Sequence, residues 1–318
     1  MKVMITGCAG FIGMHTAIQL VKEGHQVVGI DNFNDYYDPA LKNRRQSFLE
    51  HTWKVPVSTV DLRLKPAVET YLIKHKPDLV IHLGAMAGVR YSLEDPSSYH
   101  STNIEGTQNL IDACEKVGTE NVIYASTSCV MHGHELPWRE YEYLYPQINP
   151  YGYTKMVNES QFHISKIPNA VGLRFFTVYG PWGRPDMALF DFTKNIVAGN
   201  PITLFNNGDM KRDFTYVSDI VDGIMLVKDN MTPRDMYNIG RGEQVELEHF
   251  VDAIENALGG NYKAIREYGP KHPADAKETF SDTTKLQALG YAPSVSIQEG
   301  VNEFITWYRL HYMTSGGQ

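Results

Sequence analysis

Two short stretches of this chain carry residue types at spacings suited to chemistry. In "NPYGYTK", Tyr151 and Lys155 stand four apart at the start of a helical pattern, so both side chains fall on one helix face, a turn apart. An ammonium held near a phenol favours the phenolate. Bringing a tyrosine from about 10 to about 7 requires about 4 kcal/mol of differential stabilisation, within reach of two cations in a dry cleft. Such a tyrosine can remove or return a hydroxyl proton while hydride moves to or from a nicotinamide. Thr127, at the carboxyl end of the strand-like run "NVIYAS", offers a hydroxyl to the same substrate oxygen.

The second stretch is "TGCAGFIG". The apolar run "KVMIT" leads straight into Gly7, Gly10 and Gly13, and a helical pattern opens at Phe11 and Ile12. Glycines there permit a tight turn and close approach of backbone to a pyrophosphate, while the helix N-terminus supplies unpaired N–H donors. The next strand-like run, "QVVGI", leads into Asp31, eighteen residues after Gly13, followed by Asn32. A carboxylate at that place accepts hydrogen bonds from an adenosine ribose and repels a 2′-phosphate, so NAD is expected over NADP. Asp61 and Leu62 are adenine-side candidates. "HLGA" places Leu83 and Ala85 where backbone lines the cofactor cleft.

Between these lies "STSCVMHG", Ser126 to Gly133. Cys129, His132 and His134 raise the idea of zinc, but three or four convergent ligands are needed and no second Cys or His cluster has the spacing. A cysteine nucleophile needs a base or cation to hold its thiolate, and hydride chemistry gives it no task. The stretch reads as the wall of a pocket, with no metal.

The elements that must position these groups alternate. "KVMIT", "QVVGI", "VPVSTV", "DLVIHL", "NVIYAS" and "AVGLRFF" are short buried-strand runs. Between them lie amphipathic segments such as "FIGMHTAIQLVKEG" and "NIEGTQNLIDACEKVG", each closing at a glycine. Strands with so little polar alternation are buried on both faces, which predicts a doubly wound parallel α/β sheet of Rossmann type. The length of 318 residues suits two parts: a dinucleotide-binding domain over 1–178 with a return segment at about 214–240, and a smaller lobe from 179–213 and 241–318. That lobe should hold two helices, "ELEHFVDAIENAL" and "SIQEGVNEFITWYRLHY", and the final "TSGGQ" reads as disordered. A net charge of −8 disfavours nucleic acid as a partner. No apolar stretch approaches membrane-spanning length, and three cysteines at unrelated spacings fit a reducing cytoplasm.

In family order, "TGCAGFIG", "HLGAMAGVR", "YGYTK", "YGPWGRPDM" and "RDFTYVSDI" make the chain resemble the extended short-chain dehydrogenase/reductases, specifically the nucleotide-sugar epimerases. Through "DNFNDYYDPALK", "GVRYS" and "RPDMA" it is most similar to the UDP-glucuronate 4-epimerases. The resemblance implies Thr127, Tyr151 and Lys155 as the catalytic trio and NAD as cofactor. It also implies a homodimer packed through helices starting near Asn103 and Tyr151. It places Arg212 of "RDF" on a nucleotide diphosphate, with Arg90, Arg174 and Arg184 as further diphosphate, cleft or sugar contacts, and Thr127, Ser128 and Thr177 at the sugar. Dehydratases and decarboxylases of the family carry an acid just after the catalytic Ser or Thr, where this chain has Ser128 and Cys129. Members usually read V-Y-G where this chain has Val130, Met131 and His132. The expected reaction is C4 epimerisation of a UDP-sugar through a 4-keto intermediate, with UDP-glucuronate as substrate. The alternatives are UDP-glucose or a UDP-N-acetylhexosamine, or a silent NAD-sensing regulator.

Overall fold

The computed structural model describes residues 1–142 and 146–313; the expectation of disorder over 314–318 lies outside the described residues. Its first elements are β1 (Lys2–Thr6), α1 (Phe11–Lys22), β2 (Gln26–Asp31), α2 (Pro39–Thr52), β3 (Val57–Thr59), α3 (Lys65–His75), β4 (Leu79–His82), β5 (Asn121–Thr127) and β6 (Asn169–Phe175). These six strands and a seventh, Asp235–Ile239, form one parallel sheet. Its order is Asp235–Ile239, β6, β5, β4, β1, β2, β3. The doubly wound parallel sheet expected from the sequence is therefore present.

Strand alternation explains why both faces are covered. Val3 and Ile5 of β1 join an apolar cluster with Leu20 of α1 and Ile224 of the helix Val217–Asp229. Met4 points the other way, into a cluster with Val80, Leu110 and Phe162, carried partly by the helices Gly106–Val117 and Pro150–Ile164. Each such fully buried side chain contributes roughly 1.5–3 kcal/mol. The parallel register pairs Thr6 with Ile30 and with His82, His82 with Tyr124, and Thr127 with Phe175. The carboxyl ends of β1, β2, β4, β5 and β6 thus share one edge, where open α/β sheets bind ligands.

A third apolar cluster joins Phe190, Phe250 and Phe304 from the helices Ala188–Ala198, Leu247–Leu258 and Ile297–Tyr308. The Phe214 and Phe250 rings stack 4.0 Å apart. The two late helices expected from the sequence are these last two, and the second starts at a Ser296–Glu299 capping box. The helix expected from Asn103 becomes regular only at Gly106, after a wider turn over His100–Glu105. There Asn103 turns inward: its amide accepts from Met86 N and donates to Met86 O and Thr154 Oγ1.

Candidate active site

A cavity of about 350 Å3 lies along the sheet's carboxyl edge. One end is backbone. Gly7 is left-handed at φ 67, Gly10 N donates to Gly7 O at 2.9 Å, and a Cβ on Gly13 would sit 2.2 Å from Gly7 O. The turn is therefore packed against α1 with no room for a side chain at Gly13. No side chain caps the start of α1, so the first N–H groups of Phe11, Ile12 and Gly13, all lining the cavity, are open to an anion. Asp31 accepts from Ala9 N at 3.1 Å and Phe33 N at 3.0 Å. Burial pushes its carboxyl above the ordinary range, opposed by those N–H groups and the charges of Lys42 and Arg45. Asn32, Leu62, Leu83 and Ala85 line the same end. Asp61 lies behind it, ion-paired to Arg63 at 2.7 Å and accepting from Asn32 Nδ2 at 3.3 Å.

Asn149 and Pro150 set the start of the helix Pro150–Ile164, which carries Tyr151 and Lys155: Asn149 Oδ1 accepts from Gly152 N at 2.7 Å, and proline occupies the first helical position. Tyr151 and Lys155 therefore face the cavity together, beside Thr127 at the end of β5. Burial pushes the Tyr151 phenol up to about 12; Cys129 adds to this, and hydrogen bonding to Thr127 and the Arg184 charge oppose it. Burial lowers Lys155 to about 8, opposed by Glu159. The sequence predicts a depressed phenol; in the protein alone burial raises it instead, and the groups that oppose the rise are Thr127 and Arg184 rather than Lys155, whose own charged form burial also penalises. A positively charged nicotinamide, when bound, would be the second cation favouring the phenolate.

The sugar-side candidates divide. Ser128, Thr177 and Arg184 line the cavity with Cys129. Arg184 Nη2 donates to Ala87 O at 2.9 Å and to Asp186 Oδ2 at 2.5 Å, and Tyr36 Oη donates to the same carboxylate oxygen at 2.9 Å. Arg90 does not line the cavity: it pairs with Asp275 at 2.7 Å and lies 4.0 Å over the Phe205 ring. Arg212 donates to the carbonyls of Lys211, Lys277 and Ala276 at 2.8–2.9 Å, and its charge is felt at the Cys129 thiol. Arg174 is fully buried and grips Glu159 with two 2.9 Å hydrogen bonds. Ser126 Oγ donates to that carboxylate at 2.5 Å. Arg174 thus braces the helix Pro150–Ile164 behind the site.

Sequence reasoning missed Lys42, which lines the cavity and donates to Asn34 O and Asn34 Oδ1 at 2.6 Å each. Its signal was Asp38-Pro39, a helix start whose Asp38 Oδ1 accepts from Ala40 N at 2.9 Å. Met131, where the family usually has an aromatic residue, fills a small apolar cluster with Val130, Trp138 and Phe176. His132 stands edge-on to Trp138. Among the described residues no group of three or more His, Cys, Asp or Glu side chains could hold a metal, and no helix is long and apolar enough to cross a membrane.

The backbone turn with open N–H groups, a buried carboxylate at the end of β2 and an apolar adenine-side wall at Leu62 fit a dinucleotide such as NAD. The fold and the site together define a Rossmann-type, nicotinamide-using enzyme with a tyrosine–lysine pair. The chain matches the NAD dependent epimerase/dehydratase family over residues 3–240 and belongs to it. It is 40% identical to Protein CapI of Staphylococcus aureus, across 98% of this chain and 99% of that one. It is 38% identical to a probable UDP-glucuronate 4-epimerase of Rhizobium meliloti, across 98% of each. Among solved structures it is similar to UDP-glucuronic acid 4-epimerase from Bacillus cereus in complex with UDP-glucuronic acid and NAD. That likeness has a TM-score of 0.90 and 33% identity, covering 98% of this chain and 100% of that one.

Proposed function

We propose that the protein is an NAD-dependent UDP-glucuronate 4-epimerase, interconverting UDP-glucuronate and UDP-galacturonate. The observation that carries this is the convergence of Thr127, Tyr151 and Lys155 on a single cavity whose far end is the glycine turn and Asp31. Relatives named for this activity match nearly the whole chain. Gly7, Gly10 and Gly13 with the α1 N-terminus hold the pyrophosphate, and Asp31, with Lys42 beside it, holds the adenosine ribose. Bound NAD supplies a hydride acceptor that later serves as donor to the same carbon.

Tyr151 takes the 4-hydroxyl proton while Thr127 holds the same oxygen, and Lys155 favours the phenolate. The resulting 4-keto sugar turns about its diphosphate link, and Tyr151 returns a proton to the new hydroxyl. Arg184, on the cavity wall, steadies the diphosphate or sugar by exchanging its present acceptors for substrate oxygens, and Arg212, outside that wall, joins it only by leaving its three carbonyls. A 4-keto glucuronate is a β-keto acid, which loses carbon dioxide when the carboxylate bond aligns with the carbonyl π system. Thr127, Ser128 and nearby N–H groups restrain that carboxylate. Ser128 and Cys129 offer no carboxylic acid, so the extra acid–base group an elimination requires is missing.

The same reading includes a dinucleotide-binding domain over 1–178 with its return segment at about 214–240, and a sugar-nucleotide lobe from 179–213 and 241–318. It includes a cytoplasmic homodimer, supported by three free thiols and by Tyr153 and Ile164 exposed on the catalytic helix. The test is incubation with UDP-glucuronate, UDP-glucose and UDP-N-acetylglucosamine, with products identified by NMR. UDP-galacturonate is expected from the first; conversion of the neutral sugars alone would overturn the substrate, and turnover of none would favour a regulator.

A further inference from the structure

Arg45, in the middle of α2, is completely buried. A buried guanidinium is costly unless a carboxylate pairs with it, yet among the described residues its hydrogen bonds go only to neutral oxygens. Nη1 donates to Ala9 O at 3.2 Å and to Tyr37 Oη at 2.6 Å. Nη2 donates to Trp182 O at 2.5 Å and Gly183 O at 3.3 Å, while Nε has no partner.

Besides Tyr37, the partners are backbone carbonyls of two separate loops, each directly before a residue of the cavity. Ala9 precedes Gly10 of the dinucleotide turn, and Gly183 precedes Arg184. The second loop is turned toward the first by an uncommon backbone: Trp182 sits at φ 63, a left-handed conformation rare for an aromatic residue. The turn directs consecutive carbonyls inward, with His15 Nε2 of α1 donating to Pro181 O at 3.0 Å beside the two Arg45 contacts. The Trp182 ring stacks on Phe48 of α2, 5.8 Å away. Thus α1 and α2, which frame the dinucleotide end, also hold the backbone that carries Arg184 toward the substrate end.

We propose that Arg45 is a positioning residue that couples the two ends of the cavity: its fork ties the glycine turn to the Trp182–Gly183 backbone, so ordering either loop favours binding at the other. The fork geometry is essential, since one planar group must reach both loops at once, which an ammonium cannot reproduce. The inference rests on the reading of the cavity as holding NAD at one end and a UDP-sugar at the other. By linkage, the factor by which UDP tightens NAD must equal the factor by which NAD tightens UDP.

The experiment measures the affinity of the full chain for NAD with and without saturating UDP, and for UDP with and without NAD. The parent is compared with Arg45→Lys, Arg45→Met and His15→Phe, each checked for folding by thermal melting. In the parent, each ligand should tighten the other by about tenfold or more, inside the usual range for coupled sites. In Arg45→Lys and Arg45→Met both ligands should still bind, but the factor should fall to about two or less; in His15→Phe it should fall part of the way. A loss of stability alone would weaken both affinities and leave the factor unchanged. If the Arg45 variants do not fold, His15→Phe decides. Full coupling in any folded variant, or none in the parent, overturns the inference; a parent that binds neither NAD nor UDP overturns the reading beneath it.

Discussion

At the dinucleotide end of the cavity the protein presents mostly backbone, from the contiguous turn Gly7–Gly13, aided by one carboxylate at the end of the adjacent strand. At the substrate end it presents side chains drawn from segments far apart in the chain, and Arg184 on its wall is already engaged by Asp186, while Arg90 and Arg212, outside the wall, are held by Asp275 and by three carbonyls. The first end is preformed and tolerates no added atom. The second must exchange internal partners for substrate oxygens, so its affinity is a difference between two sets of contacts. Retention of cofactor through every turnover and release of a sugar after each one call for that asymmetry.

The largest effect should come from the chemistry between the two ends. Tyr151→Phe should lower turnover about a thousandfold while NAD stays bound, because the ring still packs and only the proton acceptor is gone. Activity within tenfold of the parent would place the base elsewhere. At the preformed end, Gly13→Ala puts a methyl 2.2 Å from Gly7 O, a backbone atom that cannot step aside. NAD binding should be lost and the thermal midpoint should drop, as overpacking costs about 1–3 kcal/mol. Full cofactor retention would mean the turn is more pliable than its packing implies.

Asp31→Ala should weaken NAD by about tenfold and reduce discrimination against NADP, since the ribose loses its acceptor; unchanged preference would show the ribose read elsewhere. Lys155 supplies a pH test. Its value falls from an ordinary 10.5 to about 8 on burial, so between those pH values the unfolded chain holds a proton that the folded chain has lost. The lysine's contribution to stability is then least favourable below pH 8 and rises as pH climbs toward 10.5. Denaturation of Lys155→Met beside the parent should give a stability difference in the variant's favour that shrinks across that window. A pH-independent difference would mean that the lysine stays charged throughout. The smallest effect is expected at Cys129, an uncharged wall of the adaptable end. Cys129→Ser should keep most activity, and loss of it would give the thiol a chemical role. Cys129→Glu should lower epimerisation and release some UDP-pentose, measured by mass spectrometry; clean epimerisation would remove the restraint argument.

Legibility in the sequence followed locality. The glycine turn, Asp31 and the Tyr151–Lys155 pair could be read because each works through neighbours in the chain: a strand runs into a turn, a helix repeats every four residues. Helix α2 was not read, and its composition shows why. Its buried positions are Leu41, Lys42, Arg45 and Leu49, so half of its inward face is cationic and carries no apolar stripe. The same feature hid Lys42 and Arg45. For the arginines the residue type could be read but not the place: Arg90, Arg174, Arg184 and Arg212 look alike in a string of letters, yet Arg184 alone of the four reaches the cavity wall.

From its sequence alone this protein is a doubly wound dinucleotide enzyme with a tyrosine–lysine pair, because those features depend on residue type and short-range geometry. Which acceptors hold each arginine, how far the phenol and ammonium are desolvated, and that one buried guanidinium touches both loops of the cavity were decided only by the tertiary structure. These depend on burial away from water and, in many cases, on groups far apart in the chain, such as Arg45 with Ala9 and Trp182 or Arg90 with Asp275. Neither condition leaves a periodic mark in the sequence.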